Sequence, residues 1–192
     1  MRVALLALFS TASGAVAQPD LDWLDRVALQ AREVVVQTDR SDRPLTVNVR
    51  LAAEVDAPAA AIWDVLRACE VAPEYVPNVV SCRKVEEVDD GRGEIFVQTI
   101  KPIFFMPTFE HVFRLDYTPH ARIDVSRVSG PIEHMQGTWW LLLQDSGRIL
   151  LVYELELDPG MPIPRFMVRA TLKRDLPKVI AAVRERAEAA AK

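Results

Sequence analysis

Between residues 79 and 157 the chain repeats one pattern six times. A segment of about ten residues rich in Val, Ile, Thr and aromatics is followed by a short run of Gly, Pro, Asp or Ser. The segments are residues 79–88, 93–102, 108–117, 121–128, 136–144 and 148–157. Connections this short join antiparallel neighbours, because a parallel crossover needs a dozen residues or more. One helical pattern then runs from PIPRF to about residue 190. It spans roughly 39 Å at 1.5 Å per residue. An antiparallel sheet needs cover on its apolar face, and this helix is the available cover. Its expected apolar stripe is Phe166, Met167, Ala170, Ile180 and Val183. Pro177 sits inside it and is expected to bend it.

Upstream, residues 45–56 alternate cleanly. Val47, Val49, Leu51, Ala53 and Val55 take one face, and Thr46, Asn48, Arg50, Ala52 and Glu54 the other. Asp56-Ala57-Pro58 opens a helix through AAAIWDVLRACE, with Asp56 as its expected cap. PEYVP reads as a second short helical turn. Residues 21–31 read as an amphipathic helix and 33–38 as an extra strand, joined to the next by DRSDRP.

The N-terminus reads differently. One early charge, Arg2, precedes an apolar run and Ala15-Val16-Ala17, a small-x-small cleavage pattern. Residues 1–17 are therefore expected to be a signal peptide cut after Ala17, with the mature chain periplasmic or secreted. Residues 18–44 form an N-terminal helix and extra strand, and 45–192 the main domain. An oxidising compartment permits a disulfide between Cys69 and Cys82. The sequence leaves both the bonded and the free state open.

With 50% hydrophobic and 26% charged residues the chain is globular. A net charge of −4 without a basic run argues against nucleic acid. Three scattered His and two Cys give no metal spacing. No catalytic or cofactor motif is present, so no metal and no cofactor is expected.

The stretch GTWWLLLQDSGRILLVYELELDPG places apolar residues on both faces of one strand. If DSG is a three-residue turn, Trp139, Leu141 and Leu143 share a face with Ile149, Leu151, Tyr153, Leu155 and Leu157. Trp140 and Leu142 then lie on the other face with Leu150 and Val152. The helix at 21–31, carrying Trp23, Leu24 and Val27, is their simplest cover; a partner protein docking on Trp140 is the sharper alternative. On this phase Trp139 should be more buried than Trp140.

VRLAAEVDAPAAAIWDVL, EYVPNVVSCRKVE, GTWWLLL and PGMPIPRFMVRATLKRDLPKVIAAVRERAE resemble the START-like (SRPBCC) superfamily. The likeness is to its polyketide cyclase and lipid-transport branch, which includes coenzyme-Q-binding proteins. Ala68-Cys69-Glu70 departs from the expected Asp-aromatic pair. The resemblance implies an α+β helix-grip fold. A seven-stranded curved antiparallel sheet would wrap a long C-terminal helix, with two short helices after the first strand and a deep apolar cavity between.

Inward positions then become candidate ligand contacts: Phe109, His111, Phe113, Val125, Arg127, Met135, Trp139, Leu141, Leu151, Tyr153, Phe166 and Ala170. His111 reads as a satisfied core residue, a headgroup anchor or a base. Arg127 either meets a headgroup or pairs with Glu133. Turn parity gathers PEYVPN, KPIFFMPT, SGPIEHMQ and DPGMPIP at one end, where Phe104, Phe105, Met161 and Ile163 are expected to form a gate with transient membrane contact. The expected function is carriage of a hydrophobic small molecule (lipid, isoprenoid or quinone-like) by a monomer. The alternatives are a cyclase or dehydratase using His111 with Tyr117 or Tyr153, and a protein-interaction module.

Overall fold

The first strand of the main domain pairs with its last, and this closes the fold. The computed structural model describes residues 18–43, 45–102, 107–161 and 163–192. Residues 1–17, the expected signal segment, and the expected gate residues Phe104 and Phe105 lie outside them. Eight strands occur among the described residues: β1 (Val35–Arg40), β2 (Val47–Val55), β3 (Val79–Val88), β4 (Gly93–Ile100), β5 (Phe109–Thr118), β6 (Arg122–Ser129), β7 (His134–Leu143) and β8 (Ile149–Asp158). The helices are α1 (Arg26–Gln30), α2 (Ala59–Arg67) and α3 (Arg165–Ala190), with a 3-10 turn at Cys69–Glu74.

The sheet order is β1-β2-β8-β7-β6-β5-β4-β3. Every neighbouring pair is antiparallel. The sheet has eight strands where the resemblance implied seven, because β1 pairs along β2 from Val35↔Ala52 to Arg40↔Val47. The helix-grip expectation otherwise holds: a curved antiparallel sheet lies against one long helix.

Helix α3 continues through Pro177 as one element. Its buried residues are Val168, Val179, Ile180, Val183 and Ala187. The spacing Val168, Leu172, Leu176, Val179, Val183, Ala187 is a single stripe. Phe166 and Ala170 lie two residues from Val168, about 200° around the helix, and therefore face outward. Phe166 is 70% exposed. The expected stripe was thus out of phase at its start.

At the upper end Val55, Ile62, Leu141, Ile149 and Leu151 pack against Val179, Val183 and Ala187. Each fully buried Val, Leu or Ile contributes about 1.5–3 kcal/mol. Helix α2 starts after Pro58, and no side chain caps it. The expected Asp56 cap is replaced: the Asp56 N–H donates to Glu188 on α3 at 2.9 Å.

The outer patch is covered by the chain itself. Leu29, Ala52, Trp140, Leu150 and Val152 form one cluster, with Leu21, Trp23, Leu24 and Leu142 against it. Helix α1 is shorter than expected because Asp25 caps it, accepting from the N–H groups of Val27 and Ala28. Leu29 is its inward anchor, while Val27 is 76% exposed. A partner docking on Trp140 is therefore excluded by cover already in place.

Cys69 and Cys82 are bonded, with Cα atoms 5.4 Å apart. Cys82 is the one buried residue of edge strand β3. A bulge between Val79 and Ser81 turns Val80 outward, where Cys82 and Val80 were expected to share a face. The bond therefore fastens an otherwise exposed strand to the turn above it. Closing a loop of this length stabilises by about 3 kcal/mol. Cys82→Ala should lower the unfolding free energy by about that amount in urea titration. An unchanged midpoint would mean that β3 is held by its ladder with β4 alone.

Candidate functional site

A chamber of about 200 Å³ lies between the sheet and the middle of α3. The sheet supplies Gln98, His111, Phe113, Leu115, Ile123, Val125, Met135, Trp139 and Tyr153. Helix α3 supplies Leu176, Val179 and Val183. Leu66 of α2 and Cys69, Ala72, Tyr75 and Val76 close the remaining side. No wall residue is an Asp, Glu, Lys or Arg.

Trp139 and Tyr153 are cross-strand partners. Their rings stack with centroids 3.9 Å apart and planes 13° from parallel. Gly137 makes this possible, since a Cβ there would meet the Tyr153 ring at 3.3 Å. The DSG register is as expected, with the Gln144 N–H donating to the Arg148 carbonyl. The burial order is reversed: Trp140 is 7% exposed, whereas Trp139 is only partly buried. Trp139 faces the open chamber, while Trp140 lies under the N-terminal segment and donates to Glu154 at 3.1 Å.

His111 is 3% exposed. Its Nε2 lies 2.9 Å from Oε1 of Gln98, directly across in the β4–β5 register. The Nε2–H tautomer is the one that can donate to this amide oxygen, and in it Nδ1 is an acceptor. Nδ1 is buried without a hydrogen-bond partner. The ring stacks on Phe113 at 5.3 Å. Gly130, at φ 107°, brings the β6–β7 turn against the His111 backbone, where a Cβ would approach Cα at 2.8 Å.

Of the sequence candidates, His111, Phe113, Val125, Met135, Trp139 and Tyr153 line this chamber. Leu141 and Leu151 do not: they sit one layer higher in the solid core against α3. Leu143, expected on the same face, is 74% exposed at the strand end. Arg127 is exposed at the rim and donates to the carbonyls of Gly130 and Ile132 rather than pairing with Glu133. Phe166 and Ala170 face away.

Phe109 lines a second apolar chamber of about 200 Å³ below the first. Met161 and Ile163 are there too, with Asn78, Ile100, Pro102, Ile132, Leu157, Pro159, Met167, Val168, Thr171 and Leu172. Described residues of the four long connections, Asn78, Pro102, Ile132 and Met161 among them, do gather at one end. Sequence reasoning missed Gln98 and Tyr75. Gln98 was recoverable only through its register with His111, which no single-strand periodicity gives.

Charge is collected elsewhere. Glu94, 3% exposed, accepts from Arg67 at 2.8 Å, Lys84 at 3.0 Å and the Tyr117 hydroxyl. Burial pushes its carboxyl up, but the hydrogen bonds from Tyr117, Arg67 and Lys84 outweigh that and hold it below its ordinary value. Burial first, and Glu94 second, push the Tyr117 phenol well above its usual range. Tyr117 is thus committed to Glu94 outside the chamber wall. A wider cleft of about 410 Å³ on the outer sheet face is open and lined by Asp39, Arg50, Glu154 and Glu156. It is a solvated face and encloses nothing.

Burial alone lowers the His111 pKa from 6.5 to about 4. The unfolded chain takes up a proton near pH 6.5, and the folded chain only near 4. Stability is thus full above pH 6.5 and falls as the pH drops towards 4, by about 3 kcal/mol in all. Urea midpoints should fall over this window in the wild type. The part due to His111 should be absent in His111→Phe. A parallel fall in both would assign the loss to other groups.

No curated protein sequence matches this chain. Among solved structures, a STAR-related lipid transfer protein from Xanthomonas axonopodis is 16% identical, covering 88% of this chain and 96% of that one, with a TM-score of 0.69. The Zhui aromatase/cyclase from a Streptomyces species is 21% identical over 74% and 94%, with a TM-score of 0.62. Human STARD10 is 15% identical over 80% and 69%, with a TM-score of 0.67. Identities this low show the fold. Residues 55–184, more than half of the chain and all of the chamber wall from Leu66 to Val183, match the model named "Polyketide cyclase / dehydrase and lipid transport". This START-like chain belongs to that family.

Proposed function

We propose that the chain binds one hydrophobic small molecule in the inner chamber and acts as its carrier or chaperone. The observation behind this reading is a charge-free, aromatic-lined chamber of about 200 Å³ between sheet and helix. An engineered apolar cavity of about 150 Å³ accommodates benzene. The chamber therefore suits a compact molecule, or one end of an isoprenoid, quinone-like or acyl chain whose remainder follows the lower chamber. Ten buried methylenes would contribute about 8 kcal/mol before association costs of several kcal/mol.

A cyclase or dehydratase in the same chamber is the second reading. It needs a positioned acid and base within reach of the substrate. His111 offers one, but its Nε2 is bonded to a neutral amide and Tyr117 is tied to Glu94. Tyr153 lines the chamber, but burial pushes its phenol well above its usual range. These observations favour binding over turnover.

The leader at residues 1–17 and the Cys69–Cys82 bond support an exported, periplasmic or secreted protein. Met161 and Ile163 at the lower chamber support a ligand mouth at that end, with transient membrane contact by a monomer. Among the described residues, no helix is long and apolar enough to cross a membrane.

Native mass spectrometry of the purified protein should show a bound small molecule that organic solvent removes. Ligand binding should also change Trp139 fluorescence. If no adduct appears and no hydrophobic probe binds, the carrier reading fails. Ile163→Asp should slow vesicle-to-vesicle transfer several-fold while leaving the melting temperature close to wild type. Transfer at the wild-type rate would place the mouth elsewhere.

A further inference from the structure

The two chambers adjoin. On β4 and β5 the next inward residues below Gln98 and His111 are Ile100 and Phe109, and these line the lower chamber. Met135 of the inner chamber pairs with Leu157 of the lower one. On α3, Leu172 of the lower chamber lies one turn from Leu176 of the inner one. The Gln98–His111 pair therefore stands at the neck between two apolar spaces.

Among the described residues neither wall carries a charged side chain. A carboxylate or ammonium entering here would lose its water and meet no counter-charge. Nearby, Arg67 and Lys84 are already bonded to Glu94, and Arg127 to the turn carbonyls. At the neck, His111 Nδ1 is buried with its lone pair unused. A buried acceptor without a donor is costly, and a ligand that supplies the donor removes that cost. The ring is neutral at physiological pH, so it accepts there rather than donating a second proton.

Building on the carrier reading, we propose that the ligand is uncharged and carries a hydroxyl that donates to His111 Nδ1 at the neck, with apolar groups in the chambers on either side. His111 is then the residue that orients the ligand, and Gln98 fixes the ring tautomer that leaves Nδ1 free to accept. The class is a neutral alcohol or phenol. A free acid and a plain hydrocarbon are both disfavoured, the first by desolvation and the second by the unused acceptor.

Three matched probes test this: 2-naphthol, naphthalene and 2-naphthoate, each titrated calorimetrically into the full-length protein at pH 7.5. Wild type should bind 2-naphthol about tenfold more tightly than naphthalene, and 2-naphthoate more weakly than either. His111→Phe keeps a ring in the wall and should abolish the naphthol advantage while retaining naphthalene binding. His111→Gln keeps an acceptor and should retain part of the advantage, which guards against a variant that merely misfolds. Equal binding of naphthol and naphthalene to wild type overturns the anchor but leaves the carrier reading intact. So does a naphthol advantage that survives in His111→Phe. Naphthoate binding as tight as naphthol overturns the neutral-ligand class. Failure of all three probes overturns the carrier reading and the anchor together.

Discussion

The contact that fixes this structure is the one between the upper half of α3 and the sheet. Val179, Val183 and Ala187 seat against Val55, Leu141, Ile149 and Leu151. Ile180 seats against Val49, Leu51 and Ala53. With that half seated, the spacing between helix and sheet below it is set. Along the chamber the aromatic side chains of the sheet stack on each other, Trp139 on Tyr153 and His111 on Phe113. Protein interiors normally pack to crystal density. The space of about 200 Å³ beside α3 departs from that density.

The chamber stays apolar because charge is bound up at its edges. Glu94 shares the inward face of β4 with Phe96 and Gln98, and unpartnered it would load the cavity with a carboxylate. Arg67 reaches it from the end of α2, Lys84 from β3 and Tyr117 from β5. Arg67 also lies over the Tyr117 ring at 4.8 Å. Replacing such a cluster with apolar residues is often neutral or stabilising. Its value here lies in satisfying the polar groups of strands whose next inward positions must remain greasy.

Much of this was legible in the sequence, and the misses share a cause. Strand order, the Gln144–Arg148 register and the end at which apolar loops gather all follow from periods and turn chemistry within one segment. Six chamber residues followed from strand phase alone. The errors arose where a third element decided the outcome. Trp139 and Trp140 were placed on the right faces, but which is more buried depended on what covers each face. Phe166 and Ala170 failed because PIPRF looks like the start of an apolar stripe, whereas the stripe is phased by Val168 and the leucines beyond it. Arg127 had the inward phase but sits at the strand end, where turn carbonyls capture it. Leu141 and Leu151 had the right face and the wrong height, since phase says nothing about where along a strand the chamber begins.

The same geometry bears on whether the chamber is a vessel or a reactor. A His acting as a base gains a positive charge during the reaction, and catalytic sites usually stabilise it with a carboxylate on the opposite nitrogen. Here the partner of Nε2 is the Gln98 amide, which fixes the tautomer but offers no charge to the imidazolium. Desolvation works in the same direction, holding the ring neutral to about pH 4. A base so reluctant to protonate is weak, while a neutral acceptor in a dry wall is a strong hydrogen-bond site for a hydroxyl. The nearest carboxylate on the inward face of β4, Glu94, is already saturated by three donors. Besides His111, the titratable groups of the wall are the phenols of Tyr75 and Tyr153, and burial raises both above their ordinary value.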